Sequence, residues 1–423
     1  MVKKGYKQTE IGVIPEDWEV VQLKYVSTGK FTYGVNAPAV EYMPPLPNYI
    51  RITDISDDGR FIRENCMSVI CANPEQFTLK ENDIVFARTG ASTGKTYLYR
   101  REDGKLVYAG FLIKATINPY LANSKYVFAA LHTKEYWNWV STSSMRSGQP
   151  GINGNEYASY QIALPDLAEQ AYIVEALEGT DKLIILLEKQ ISKKKAIKQG
   201  TMQELLTGKR RLPGFEGKWQ LFVFGDLFDF IPNNAFTRAQ IDVSGRVKNI
   251  HYGDILTKYG AYISADSKDI PYIAKEIDLS RFSEKCYLQS GDLVIADTAE
   301  DETVGKALEV INVECPVLAG QHTLLCRPKV RFAEKFLGYY LNGACYHDQL
   351  IPYIVGTKVS SVSKASMAQT ALVVPDYEEQ QAIAEILSNM DSEIEALEQK
   401  LAKYRQVKQG MMQQLLTGKI RLG

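Results

Sequence analysis

The stretch with the strongest chemical look is Gly90-Ala-Ser-Thr-Gly94-Lys95-Thr96, which has the ingredients of a phosphate-binding loop. Such a loop needs four residues between its first glycine and the Gly-Lys pair, and here there are three. It must also open a helix, whose N-terminal amides hold the phosphate. After Lys95 the chain instead runs Thr-Tyr-Leu-Tyr-Arg, a strand pattern. A related stretch, Asp297-Thr-Ala-Glu-Asp-Glu-Thr-Val-Gly305-Lys306-Ala, keeps Gly-Lys but loses the first glycine and the spacing. These departures argue against a nucleoside triphosphate site. What both stretches share is a strand, a polar loop and Gly-Lys entering the next strand. That arrangement offers Lys95 or Lys306 to a phosphate of a nucleic-acid backbone as readily as to a nucleotide.

Other catalytic patterns fail on residue type or distance. Met43-Pro44-Pro45-Leu46 resembles the Asn-Pro-Pro-Tyr of adenine methyltransferases but lacks the asparagine that would hold the amino group. Pro375-Asp376 with Glu398-Gln-Lys400 imitates a nuclease metal motif. On one helix those pieces would stand about 33 Å apart at ~1.5 Å per residue, too far to share an ion. Six cysteines form no C-x-x-C pair, and four scattered histidines complete neither a zinc site nor a Ser-His-Asp or Cys-His arrangement. The expectation is a chain without metal or cofactor.

The elements that must position these loops are written twice. Residues 196–212, AIKQGTMQELLTGKRRL, match residues 406–422, QVKQGMMQQLLTGKIRL, at 12 of 17 positions with an offset of 210 and no gap. Pro165-Asp166 and Glu169-Gln170 recur at Pro375-Asp376 and Glu379-Gln380, and Ala109-Gly110 pairs with Ala319-Gly320. Ile50 and Asp54 pair with Ile250 and Asp254, and Trp18 with Trp219. Each half thus holds a variable part of about 165 residues and a nearly constant part of about 45. One part does the same job twice, while the other does a similar job on different targets.

The constant parts read as long helices. Asp166 with Glu169 and Asp376 with Glu379 predict capping boxes, and Gly208 and Gly418 predict the stops. Val174, Leu177, Ile184, Leu187 and Ile191 form an apolar seam in the first, and Ile383, Leu387, Ile394, Leu397 and Leu401 in the second. About 43 residues per helix gives roughly 64 Å. A stripe so long calls for a partner, and the other copy is the natural one. Gly200 and Gly410 interrupt both helices at equivalent places, either for close approach of another backbone or as a kink. The variable parts read as mixed α/β, with strands at Tyr49-Ile-Arg-Ile, Asp83-Ile-Val-Phe-Ala, Phe111 to Ile117 and Asp292-Leu-Val-Ile-Ala.

The chain has 423 residues and a net charge of −1, so any DNA binding must rest on local faces and not on overall charge. The opening Met1-Val-Lys-Lys-Gly-Tyr-Lys has no apolar segment behind its lysines, and no run reaches the ~18 apolar residues of a membrane span. A cytoplasmic protein with no membrane partner is expected.

At this point the residues point to a family. Leu205-Leu-Thr-Gly-Lys209 and Leu415-Leu-Thr-Gly-Lys419 each end a helix that begins Pro-Asp-x-x-Glu-Gln, and Thr9-Glu-Ile-Gly-Val-Ile-Pro-Glu-Asp-Trp18 lies near the start of the first half. Together these resemble the specificity subunit of type I restriction–modification systems, over the whole chain. The resemblance implies two target-recognition domains, each reading half of a bipartite site on double-stranded DNA. It also implies two long helices paired as an antiparallel coiled coil about a pseudo-two-fold axis. The implied partners are two methyltransferase (modification) subunits and the restriction subunits, which would bring S-adenosylmethionine, ATP and magnesium. On this reading residues 1–165 and 213–375 are the recognition domains, and 166–212 and 376–423 the conserved helices.

Direct readout needs forked or amide side chains at major-groove edges. In the first domain the candidates are Arg88, Thr89, Ser92 and Thr93, with Lys95 on phosphate, and Arg146, Gln149 and Asn153 on a second polar loop. In the second domain they are Thr298, Gln321, His322 and Thr323, with Lys306 on phosphate, and Lys358, Ser360 and Lys364 on the second loop. Asp297 and Glu300 could accept from cytosine N4. The basic runs Lys193–Lys198 and Lys209–Arg211 face DNA, an acidic partner or water. Two other readings are a stand-alone methyltransferase or nuclease with duplicated DNA-binding domains, and an assembly scaffold. The first predicts catalytic motifs in the repeats or an extra domain; the second predicts no sequence preference.

Overall fold

The computed structural model describes residues 4–145, 149–356 and 359–422. It divides into two compact units, Met1–Glu188 with Lys400–Gly423, and Lys189–Gln399. Both are mixed α/β.

In the first unit Thr32–Tyr33, Leu112–Thr116, Asp83–Ala87 and Thr96–Leu98 form one sheet in that order. A second sheet orders Leu106–Tyr108, Asn48–Ile50, Met67–Val69 and Ala39–Glu41. The second unit repeats the scheme. Phe228–Ile231, Thr323–Pro328, Leu293–Ala296, Ala307–Ile311 and Tyr262–Ser264 form one sheet, and Lys248–Ile250 lies parallel to Val317–Ala319 in another. The parallel pair of the first unit, Asn48–Ile50 with Leu106–Tyr108, is its counterpart.

The central strands form for a readable reason. Asp83–Ala87 is buried at every position, so its near-continuous apolar run suits a strand covered on both faces. It starts at a buried aspartate that accepts from the Lys80 amide (2.8 Å) and faces Lys114 Nζ at 3.5 Å. Asp292 opens the matching strand alike, accepting from the Gln289 amide (2.7 Å) and from the Arg327 guanidinium (2.9 and 2.7 Å). A buried carboxylate needs such partners, because desolvation without them costs several kcal/mol.

The helices Leu167–Leu205 and Tyr377–Leu415 have 39 residues each, so about 58 Å, not the 43 residues and 64 Å expected. The chain leaves each helix through a left-handed glycine, Gly208 (φ +67°) and Gly418 (φ +68°). The Gly208 amide donates to Leu205 O and the Arg210 amide to Glu204 O; Gly418 and Ile420 do the same to Leu415 and Gln414. A Cβ at Gly200 or Gly410 would meet nothing within 4 Å, so close approach of another backbone is not why they are glycine.

Only half of each expected capping box forms. Asp166 Oδ1 accepts from the Glu169 amide (2.8 Å), and Asp376 Oδ1 from the Glu379 amide (3.0 Å). The glutamate side chains turn elsewhere. In the first unit Glu169 accepts a forked pair from Arg421 (2.6 and 2.7 Å) and a bond from Trp18 Nε1 (3.0 Å). In the second unit Glu379 accepts from Arg211 (2.7 and 2.6 Å) and from Trp219 Nε1 (3.2 Å). A bidentate charge-assisted pair is roughly twice as strong as the backbone bond it replaces. Arg211 is thus a structural cation, not one that waits for DNA.

Within each unit the two helical segments run antiparallel. In the first unit Asp181 pairs with Lys408 (2.7 Å) and Glu188 with Arg405 (2.8 Å). In the second, Lys195 pairs with Glu398 (2.7 Å), Lys198 with Asp391 (2.5 Å), and Lys194 with Glu393. Three lysines of the Lys193–Lys198 run are therefore engaged by the other helix. Val174 and Leu177 pack into a cluster with Trp18, Tyr126, Leu415 and Leu416. Ile383 and Leu387 join Leu205 and Leu206 in the second unit. Ile184, Leu187, Ile191, Ile394 and Leu401 are buried as well, and Leu397 is half-buried.

Glu309 is a carboxyl with no counterpart in the first unit, where the matching strand position is Leu98. Burial raises its pKa to about 7, against hydrogen bonds from the Gly338 (2.9 Å) and Lys335 (2.6 Å) amides. A carboxyl whose folded pKa lies above the unfolded value of ~4.3 stabilises the fold fully below that value, and the contribution is lost as pH rises toward 7. Urea titrations of the wild type should show stability falling between about pH 4.5 and 7, by on the order of 3 kcal/mol from this group. Glu309→Gln should flatten that slope; an unchanged slope would place the titration on another group.

A second expectation concerns the clasp. Glu379→Gln removes the charge that holds Arg211 and should lower stability by about 1.5–3 kcal/mol, read as a lower urea midpoint. An unchanged midpoint would mean that the clasp is dispensable.

Candidate nucleic-acid interface

In the first unit the segments singled out from the sequence converge. Arg88 to Thr93 follows the central strand Asp83–Ala87. The Gly90 amide donates to Pro150 O (3.1 Å), the Ile152 amide to Arg88 O (2.9 Å), and the Arg88 amide to Phe111 O (3.1 Å). Thr89 forms a bridge with Gly151. Three loops, 88–93, 110–111 and 149–153, thus make one surface. The Arg88 guanidinium lies 5.0 Å from the centre of the Tyr33 ring, whose hydroxyl accepts from the Gly154 amide (3.1 Å). Gln149 is exposed, and its amide lies 3.2 Å from where a Cβ on Gly90 (φ +71°) would stand.

Other candidates there are occupied to differing degrees. Thr93 is buried, its hydroxyl donating to Gly90 O (2.7 Å). Thr89 Oγ1 reaches Pro150 O at 3.4 Å, and Ser92 is half-buried. Asn153 caps the short helix Gly154–Ser159, its Oδ1 accepting from the Asn155 (2.9 Å) and Glu156 (3.0 Å) amides. Arg146 lies outside the described residues. Lys95 donates to Asp57 (2.8 Å), and the chain continues into the strand Thr96–Leu98 as its pattern implied.

The second unit builds the same kind of surface from different side chains. The Asp297 amide donates to His322 O (3.2 Å) and the Val362 amide to Asp297 O (2.9 Å). Thr298–Ala299 pairs with Ser360–Ser361. His322, in the left-handed region (φ +56°), is contacted by Thr298 Oγ1 at 3.5 Å on Nδ1 and by Gln321 Nε2 at 3.3 Å on Nε2. A non-glycine residue held there stores strain, which clusters at functional positions. Tyr252 packs edge-on to its ring at 5.2 Å.

Thr323 is buried, with its hydroxyl on Gly320 O (2.6 Å), and supports the turn from beneath. Ser360 is half-buried, Lys364 is exposed at the start of a short helix, and Lys358 lies outside the described residues. Lys306 turns inward: Nζ donates to Tyr259 O (2.8 Å) and Leu256 O (3.3 Å), and burial lowers its pKa.

Sequence reasoning passed over Tyr33, Phe111, Asn233 and Tyr252. Asn233 donates to Gly320 O (3.1 Å) and Thr323 O (2.5 Å), holding the 320–323 turn. One signal was present: aligning Ala109-Gly110 with Ala319-Gly320 sets Phe111 opposite Gln321.

Comparison with known proteins fits this architecture. The family model "Type I restriction modification DNA specificity domain" matches residues 15–198 and again 216–404. The type I restriction enzyme MjaVIII specificity subunit of Methanocaldococcus jannaschii is 24% identical over 444 residues, covering 99% of this chain and 97% of that protein. Two solved structures share the fold. One, from work on complex assembly and conformational transition of the type I R-M system, has a TM-score of 0.58 at 16% identity, covering 96% of this chain and 99% of that one. The other, a type I restriction–modification S subunit from M. genitalium, has a TM-score of 0.56 at 12% identity, covering 94% and 96%. The chain belongs to the family of type I restriction–modification specificity subunits, as a DNA-recognition component that is not itself catalytic. The stand-alone enzyme is not favoured.

The inward turn of Lys306 separates two roles by measurement. Lys306→Met should lower the melting temperature and leave the salt dependence of DNA binding unchanged. A salt slope reduced by about one unit would instead put the ammonium on a phosphate.

Proposed function

We propose that this chain reads a bipartite duplex target, with residues 1–165 and 213–375 each recognising one half-site, and directs adenine methyltransferase and restriction subunits to it. The observation that carries this reading is the repeated three-loop surface. The same scaffold presents Arg88 and Gln149 in one unit and Gln321 and His322 in the other. Equal supports with unequal tips suit two half-sites of different sequence. Arg88, Thr89, Ser92 and Gln149 are the base or phosphate contacts of the first domain, with Arg146 beside them in sequence. Thr298, Gln321, His322, Ser360 and Lys364 are those of the second, with Lys358 beside them.

The helices of 166–212 and 376–423 act as a spacer, paired as an antiparallel coiled coil. The antiparallel ion pairs within each unit support that pairing. Two copies of one design would let two modification subunits bind equivalently, one per half. Double-stranded DNA also has two-fold axes, so the half-sites can be read in opposite orientation. No helix among the described residues is long and apolar enough to cross a membrane, in keeping with work on cytoplasmic DNA.

Co-purified with its modification subunits, the protein should methylate a motif of two specified blocks separated by a fixed unread spacer. One continuous block would overturn the bipartite reading. Seven residues inserted in register into both long helices add about 10 Å at ~1.5 Å per residue, about three base pairs of ~3.4 Å. The spacer of the methylated motif should lengthen accordingly, and an unchanged spacer would defeat the ruler.

A further inference from the structure

We propose that Phe111 is a base-reading side chain of the first recognition domain, packing on the 5-methyl group of a thymine in the major groove. This rests on the DNA-recognition reading above and adds the chemical feature that one half-site must contain.

Phe111 leaves 56% of its surface exposed, while its neighbours Tyr108 and Leu112 are fully buried. A single exposed phenylalanine is ordinary on a protein surface. This one is held where it is. It occupies a tight turn closed by the Leu112 amide on Ala109 O (2.8 Å). The Gly110 amide donates to Val35 O (2.8 Å), the Gly34 amide to Leu112 O (3.2 Å), and the Arg88 amide to Phe111 O itself. The backbones approach so closely that a Cβ on Gly34 would stand 2.2 Å from Tyr108 O. The ring therefore projects from a backbone fixed on both sides, beside the loop that carries Arg88. Tyr33, which underlies the Arg88 guanidinium, is itself 42% exposed.

The repeat supplies the comparison. At the corresponding turn the second domain places Gln321 and then His322, one residue longer before the shared strand resumes at Leu112 and Thr323. A glutamine and a histidine read hydrogen-bonding groups. A phenyl ring can neither donate to nor accept from a base edge. The apolar feature that the major groove offers it is the thymine methyl.

The test uses the chain in complex with its modification subunits, on the target defined by its methylation pattern. Each thymine of the first half-site is replaced in turn by deoxyuridine, which lacks only the methyl group. At one position the wild type should bind about five-fold more weakly, a change equivalent to losing one apolar contact. Phe111→Ala should bind the thymine target more weakly by a similar factor and no longer distinguish thymine from deoxyuridine there. Phe111→Leu should keep part of the discrimination, which shows that the domain is still folded. Responses to the second half-site should be the same in all three proteins. The proposal is overturned if no position is sensitive, if the half-site has no thymine, or if Phe111→Ala keeps the wild-type sensitivity. A rise in 2-aminopurine fluorescence beside the contact would also overturn it, by making the ring a wedge that unstacks bases. A wild-type complex without any sequence preference would remove the DNA-recognition reading as well, and so is told apart from failure of this contact alone.

Discussion

In each unit a buried glutamate at the start of one long helix is gripped by an arginine that follows the end of the other. Glu169 holds Arg421 and the indole of Trp18; Glu379 holds Arg211 and the indole of Trp219. The glutamates are buried, so they need these partners, and the arginines supply two parallel donors in a plane that matches a carboxylate. The consequence is mechanical. Each recognition scaffold is tied at one corner to the beginning of one helix and to the exit of the other. This explains why the Leu-Leu-Thr-Gly-Lys-x-Arg-Leu ending recurs so faithfully: it turns the chain at a left-handed glycine and delivers the arginine.

On that support the variable parts do two kinds of work with one framework. The central strands Asp83–Ala87 and Leu293–Ala296, the second led in by Asp292, are built alike, from a buried aspartate, an apolar run and a following polar loop. Framework positions tolerate little change, because they are packed and hydrogen-bonded. The loops after the strands carry the differences. In the first unit arginine, tyrosine and phenylalanine gather; in the second, aspartate, threonine, glutamine and histidine do so. Division of labour between rigid strands and adaptable loops is the usual way a fold acquires a new target.

Several polar residues that look functional in the sequence serve the fold. Thr93 and Thr323 fasten their own turns, Asn153 caps a helix, and Lys306 caps backbone carbonyls. The lysines of the 193–198 run meet acids on the other helix. Each type has a hydrogen-bonding head that is as useful inside a protein as outside it. Residue type alone does not say which way the head points.

The sequence by itself determined the duplication, the two long helices with the glycines at which the chain leaves them, the buried central strands and the family. These are written in local signals: an offset of 210, apolar spacing, an aspartate before a helix, a glycine after it. It also singled out polar, glycine-rich segments after the buried strands, and in each unit the structure brings those segments together at one surface. Only the tertiary structure decided which side chains on those loops face outward. That choice turned Glu169 away from its own helix toward Arg421, 252 positions further along the chain. It also left Phe111 exposed while burying Leu112. Both outcomes depend on contacts between residues distant in sequence, whose energies no local pattern contains.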